Sequence, residues 1–186
     1  MLTRLALDPY PVGQRLLRVY PLAYGPDTFN PRSAGRFALI GRRGMAYAAT
    51  TARAALLETL LARTYPGAGG AHNLVPASLA DYGLAEIETT RAVLELAITQ
   101  PQRRRFASVD DERALDQLTI NKTYAPSHAA AAAWLALDPR LAAVRWHSRR
   151  DRGAEVVLFY GADGDAVPFR VLSTLALDEP VGQTLV

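Results

Sequence analysis

The sequence predicts an α+β domain, in which strands predominate and two or three helices are interposed. Three observations carry this expectation. Short runs rich in β-branched and aromatic residues recur from Leu16-Leu17-Arg18-Val19-Tyr20 to the segment 155–160. An apolar stripe at helical spacing (Leu56, Leu57, Leu60 and Leu61) directly follows one of them. Clusters of Pro, Gly, Asp and Asn punctuate the runs.

Residues 1–14 carry Asp8, Pro9, Pro11 and Gly13 and read as an irregular lead-in. Residues 16–20 form the first strand, which Pro21 ends. Residues 21–34 hold Pro26, Asp27, Asn30 and Pro31, a long loop of the kind that is often functional. Residues 36–40 read as a second strand, and the turn Gly41-Arg42-Arg43-Gly44 joins it in a hairpin to a third, 45–49. Thr50 or Thr51 can cap the helix that follows, residues 52–64, whose composition favours helix. Glu58 lies roughly 130° from the centre of its apolar stripe at about 100° per residue, a flank that faces either solvent or a cleft. Residues 66–70 break the helix.

Short strands are expected at 74–76, 85–88 and 93–97, with Asp81-Tyr82-Gly83 as a turn. Residues 100–108 are polar and carry Arg103-Arg104-Arg105. Residues 110–118 read as a helix with acids in its first turn, where the helix dipole favours them. An Ala-rich helix opens at Pro126-Ser127 and closes at Asp138-Pro139. Residues 142–146 and 155–160 are strands about a polar turn, 161–165 is a turn, and 169–172 is a final strand. With no repeat or linker, the chain is expected to be a single domain over 1–186, with its motifs within about 15–175.

Of the 186 residues, 49% are apolar and 21% charged, which is enough to bury a core without staples. The absence of cysteine excludes disulfides, thiolate nucleophiles and Cys-based zinc sites, and suits the cytoplasm. No apolar run reaches membrane-spanning length, and the start of the chain lacks the layout of a signal peptide. Lys122 is the only lysine among 21 basic residues, and a chain so rich in Arg can grip phosphate through bidentate contacts.

Three constellations bear on chemistry. Arg18, Arg36, Tyr47, Glu58 and Ser148 supply a diphosphate clamp, a stacking ring and a carboxylate able to stabilise an oxocarbenium-like centre. Read instead as structure, the arginines pair with surface acids, Tyr47 is half core and Glu58 is solvated. His72, His128 and His147 are too scattered for a metal motif, and His147-Ser148 lacks the surroundings of a hydrolase triad. Two basic clusters, Arg103-Arg104-Arg105 and Arg145 with Arg149, Arg150 and Arg152, can bind nucleic-acid phosphates or simply be exposed charged turns.

Taken in order, several blocks resemble the RES domain family. They are Arg18-Val19-Tyr20, Phe29-Asn30-Pro31 with Gly35-Arg36-Phe37, Tyr47-Ala48-Ala49 with Ala55-Leu56-Leu57-Glu58, and Trp146-His147-Ser148-Arg149-Arg150-Asp151 with Val157-Leu158-Phe159. The resemblance implies an ADP-ribosyltransferase-like fold, with small mixed or antiparallel sheets and flanking helices around an NAD cleft. It implies an NAD+-consuming toxin that splits the nicotinamide–ribose bond by hydrolysis or phosphorolysis, without a metal. Modification of a protein target by ADP-ribosyl transfer is the alternative. Arg18 and Arg36 would hold phosphates or ribose, Tyr47 would line the nicotinamide side, and Glu58 would be the catalytic carboxylate, with Arg18 beside it. Ser148 would complete the pocket. The implied partner is a cognate antitoxin of Xre type, or an immunity protein. Oligomers and contact with nucleic acid would arise through that partner, in the cytoplasm of the producing or target bacterium.

Overall fold

The computed structural model describes residues 5–60, 79–99, 108–120, 123–151, 153–162 and 164–178, with the backbone alone at positions 109 and 110. The described elements are β1 (Asp8–Tyr10), β2 (Arg15–Pro21), β3 (Gly44–Ala49), α1 (Ala52–Thr59), β4 (Tyr82–Thr89), β5 (Val93–Ala97), α2 (Val109–Ile120), α3 (Ala125–Leu137), β6 (Ala143–His147), β7 (Glu155–Gly161) and β8 (Phe169–Ala176). The architecture is mixed α+β, as the strand and helix pattern predicts.

The strands form one eight-stranded sheet in the order β1-β5-β6-β7-β3-β2-β4-β8. This corrects the expectation of several small sheets, although the sheet comes close to dividing. β2 and β3 pair at a single position, Leu17 with Ala49, whereas β3 pairs with β7 from Gly44 to Ala49 and β2 with β4 from Arg15 to Pro21. Among the described strands only β5 and β6 run parallel, and a crossover carrying α2 and α3 separates them in the chain.

Alternation along β7 builds two cores. Val156, Leu158 and Tyr160 join a cluster with Phe37, Trp134, Trp146 and Leu56, on the face that carries the helices. Val157 and Phe159 join Tyr10, Leu16, Tyr20 and Phe169 on the other face. Phe159 of β7 and Phe169 of β8 have ring centroids 5.7 Å apart. Four strand spacings of about 4.8 Å would separate their strands in a flat sheet. The sheet therefore curls until its β8 edge folds over its middle.

Several boundaries differ from the sequence reading. Residues 36–40 are turns rather than a strand, so 45–49 makes no hairpin with them. β1 forms despite Pro9 because it lies at the sheet edge, where a missing N–H is tolerated. Tyr82 and Gly83 belong to β4 rather than to a turn. Thr51 caps α1 by accepting from Ala54 N at 3.0 Å. The rest of the helix expected to residue 64, the strand at 74–76, His72 and Arg103-Arg104-Arg105 lie outside the described residues. Among the described residues no helix is long and apolar enough to cross a membrane.

Phe29 seats the loop between β2 and β3 by filling the space over two paired glycines, Gly44 and Gly161. A Cβ at Gly161 would lie 2.1 Å from Phe29 Cε2, and one at Gly44 2.7 Å from Phe29 Cβ. Gly161→Ala is expected to lower stability by about 1–3 kcal/mol, as overpacking does. In a Phe29→Ala background the same substitution should cost much less, and a double-mutant cycle by chemical denaturation measures the difference.

Candidate functional site

Beyond Leu17 and Ala49 the strands β2 and β3 part, and a cleft of about 390 Å³ opens there. Arg18, Asn30, Ser33, Tyr47, Glu58 and Tyr124 are among its lining residues. Arg18 shares its sheet face with Leu16 and Tyr20, while Tyr47 shares the opposite face with Met45 and Ala49. Both reach one cleft because the sheet is open between their strands.

Arg18 is 2% exposed. Its Nη2 donates to the carbonyl of Thr28 at 2.6 Å, and its guanidinium lies 5.8 Å from the ring centroid of Phe169. Nε and Nη1 have no hydrogen-bond partner among the described residues. Burial lowers the pKa of Arg18 to about 10, with Asp27 opposing the fall. A buried cation with unused donors beside a cleft is a site for an anion, since a ligand that supplies acceptors removes the desolvation penalty.

Glu58 reaches the cleft from α1. Its Oε1 accepts a hydrogen bond of 2.8 Å from Ser148 Oγ. Ser148 Oγ in turn accepts from the backbone N–H groups of Arg150 and Asp151 at 3.2 and 3.1 Å. With both acceptor positions engaged, the single hydroxyl proton is directed at Glu58. Ser148 is 4% exposed and does not itself line the cleft. It stands behind Glu58 and aims it, whereas the resemblance puts it in the pocket.

The segment Gly35-Arg36-Phe37 forms the opposite rim. Its three successive carbonyls each meet a side chain: His128 Nε2 at 2.9 Å, Tyr47 OH at 2.7 Å and Tyr160 OH at 2.8 Å. Phe37 has φ of 60°, strained for a residue with a side chain, and is fixed by stacking on Trp134 and an edge contact with Trp146. Gly35 has no room for a Cβ, which would lie 2.8 Å from Tyr47 OH. Burial raises the Tyr47 pKa well above the usual tyrosine value, so its hydroxyl stays a donor.

Arg36 does not line the cleft. Its Nη1 donates to the carbonyl of Leu118 in the last turn of α2, and its guanidinium lies 5.0 Å from the ring centroid of Tyr124. Arg149 donates to the carbonyl of Ile120, so two arginines hold the negative end of α2. Burial lowers the Arg36 pKa, against pulls from Tyr124 and Glu58.

The structure thus brings Arg18, Tyr47 and Glu58 to one cleft, with Ser148 and Arg36 braced behind its walls. Asn30, Ser33, Tyr82 and Tyr124 also line it, outside the set to which spacing and resemblance point. Only the loop position of Asn30 and Ser33 hinted at them. His128 proves to anchor the rim. Arg145, one of the basic residues weighed for phosphate binding, is engaged within the fold: it bridges the buried Glu95 and Glu155, each at 2.8 Å. Burial works against its charge, but the two carboxylates prevail and raise its pKa. Among the described residues no three His, Asp or Glu side chains converge as a metal site would need.

The family model of the RES domain matches residues 15–178. A chain in the crystal structure of the M. tuberculosis MbcT-MbcA toxin-antitoxin complex superposes with a TM-score of 0.69. The match covers 96% of this chain and 91% of that one at 16% sequence identity, which is a likeness of fold. No protein matches in a search of curated sequences.

Burial holds the Arg18 pKa at about 10, well below the ordinary arginine value, which corresponds to a stability penalty of roughly 3 kcal/mol. A basic group whose folded pKa is depressed imposes that penalty fully below the folded value, and the penalty lifts as pH rises from about 10 towards the ordinary arginine value. Arg18→Met, which removes the charge at similar volume, is expected to raise the denaturation midpoint at pH 7. Pyrophosphate should stabilise the wild type and not this variant, and thermal denaturation with and without the anion checks both.

Proposed function

The chain belongs to the RES domain family, and on that premise we propose that it is an NAD+-consuming toxin that cleaves the nicotinamide–ribose bond. The observation that carries the reading is the pairing across one cleft of a buried arginine with unused donors and a carboxylate aimed by a hydroxyl. NAD+ offers a partner for each: a diphosphate for Arg18 and a cationic glycosidic centre for Glu58. The cleft lies within the ordinary range of ligand pockets, about 300–1,000 Å³.

Arg18 would hold the diphosphate through Nε and Nη1, recovering the hydrogen bonds that burial denies them. Tyr47, its hydroxyl spent on the Arg36 carbonyl, would offer its ring to the nicotinamide side. As the ribose C1′–N bond breaks, its electron pair leaves with neutral nicotinamide and C1′ takes on oxocarbenium character. The Glu58 carboxylate would stabilise that charge through space or by holding the ribose 2′-OH. Water attacking C1′ gives ADP-ribose and a proton. Phosphate in its place gives the ribosyl phosphate, and a protein side chain gives ADP-ribosylation. The parting of β2 and β3 about the cleft supports the ADP-ribosyltransferase-like fold that the family implies. Arg36, expected to touch NAD+, would instead support the rim from behind.

The likeness to a toxin of a toxin–antitoxin complex supports a cognate antitoxin as partner, of Xre type in this reading, acting in the cytoplasm. Nicotinamide release from NAD+ is the direct test. Glu58→Gln is expected to lower kcat by on the order of a hundredfold or more, the scale of a lost charge-stabilising group. Arg18→Ala should chiefly raise KM. Undiminished turnover in both variants would refute the site. Expression of the wild type without an inhibitor should deplete cellular NAD and arrest growth, and expression of Glu58→Gln should not.

A further inference from the structure

One turn outside the cleft touches both ends of α1. Ser148 N donates to Ala154 O at 2.9 Å and Ala154 N to Asp151 O at 3.0 Å, which closes the turn between β6 and β7. From this turn Ser148 Oγ meets Glu58 at 2.8 Å, near the C-terminal end of α1. At the N-terminal end Asp151 Oδ2 accepts from Thr51 Oγ1 at 2.6 Å, while the same Thr51 oxygen caps Ala54 N.

Thr51 and Glu58 are seven residues apart. At about 100° and about 1.5 Å per residue they lie within about 20° of each other around the helix and about 10 Å apart along it. Helical side chains lean towards the N-terminus, so Glu58 reaches back towards the turn that Thr51 meets at the cap. A single hydrogen bond at Glu58 would let the helix pivot or slide. Two contacts from one turn to one face restrict both motions, adding to the hold that Leu56 in the core and the Thr50–Glu155 hydrogen bonds give the helix. α1 gains from such an anchor, because a helix of eight residues has little stability of its own and buries only two alanines and one larger side chain, Leu56.

We propose that Asp151 is a positioning residue for the reaction: by holding Thr51 it keeps α1 in register, so that the Glu58 carboxylate stays on Ser148 and faces the cleft. The proposal rests on the reading of that cleft as an NAD+ site. It gives the turn at Ser148-Arg149-Arg150-Asp151 two contacts with α1 where the resemblance counts one functional residue, Ser148.

Nicotinamide release by wild type, Asp151→Ala and Asp151→Asn tests it, alongside crystal structures of wild type and Asp151→Ala. Asp151→Ala should lower kcat by on the order of ten- to a hundredfold, the cost of a misplaced catalytic group, with KM within about twofold. Asp151→Asn, which keeps an oxygen acceptor for Thr51, should restore most of the loss. In the Asp151→Ala crystal the Ser148–Glu58 hydrogen bond should be broken. Unchanged kcat, a failure of Asp151→Asn to rescue, or an intact Ser148–Glu58 contact would overturn the proposal. A wild type that releases no nicotinamide would overturn the NAD+ reading instead, and the crystal comparison then decides the positioning role.

Discussion

The single backbone pairing between Leu17 and Ala49 is the constraint on which the structure depends. Were β2 and β3 paired along their length, the sheet would be closed where the cleft now opens. Parting two strands leaves backbone donors and acceptors that must be satisfied elsewhere. The loop from β2 to β3 does this. Asn30 N donates to Met45 O at 2.9 Å and Met45 N to Asn30 O at 3.1 Å, replacing what β2 would have provided. Thr28 turns its carbonyl to Arg18 from the same loop. Phe29, between them, is anchored over Gly44 and Gly161.

This opening explains how an arginine can be buried and yet available. Arg18 projects from the face that the curled sheet encloses, so water is excluded and its charge is costly. The gap beside β2 gives it access to the cleft that Tyr47 and Glu58 reach from the other face. A closed sheet would separate these groups, and a solvated arginine would have satisfied all its donors with water. The binding potential of the site and its cost to the fold are the same unmet hydrogen bonds.

The rim and the carboxylate are braced by different means. At Gly35-Arg36-Phe37 three consecutive carbonyls are met by side chains, which lets the backbone run without a strand partner and offsets a strained Phe37 worth roughly 1–3 kcal/mol. Periodicity favours a strand there because Phe37, Leu39 and Ile40 suit one; tertiary hydrogen bonds override that preference. At α1 the bracing comes from a turn some ninety residues later in the chain. Neither arrangement leaves a local mark, since hydrogen bonds to distant side chains do not alter the spacing of apolar residues.

By itself the sequence determined the α+β class, most strands, a threonine cap at position 50 or 51 and, through ordered blocks of residues, the family; the same blocks pointed to Arg18, Tyr47, Glu58 and Ser148 as residues to look for in one place. These follow from local propensity and from residue identity, which a linear chain records. Only the tertiary structure decided that β2 and β3 part, that two Arg18 donors meet no partner among the described residues, that Ser148 stands behind Glu58, and that Arg36 reaches α2 and Arg145 two carboxylates. It also decided that Tyr124 and Tyr82 line the cleft. Burial, strand order and hydrogen-bond satisfaction depend on contacts between residues far apart in sequence, and those contacts exist only once the chain has closed on itself.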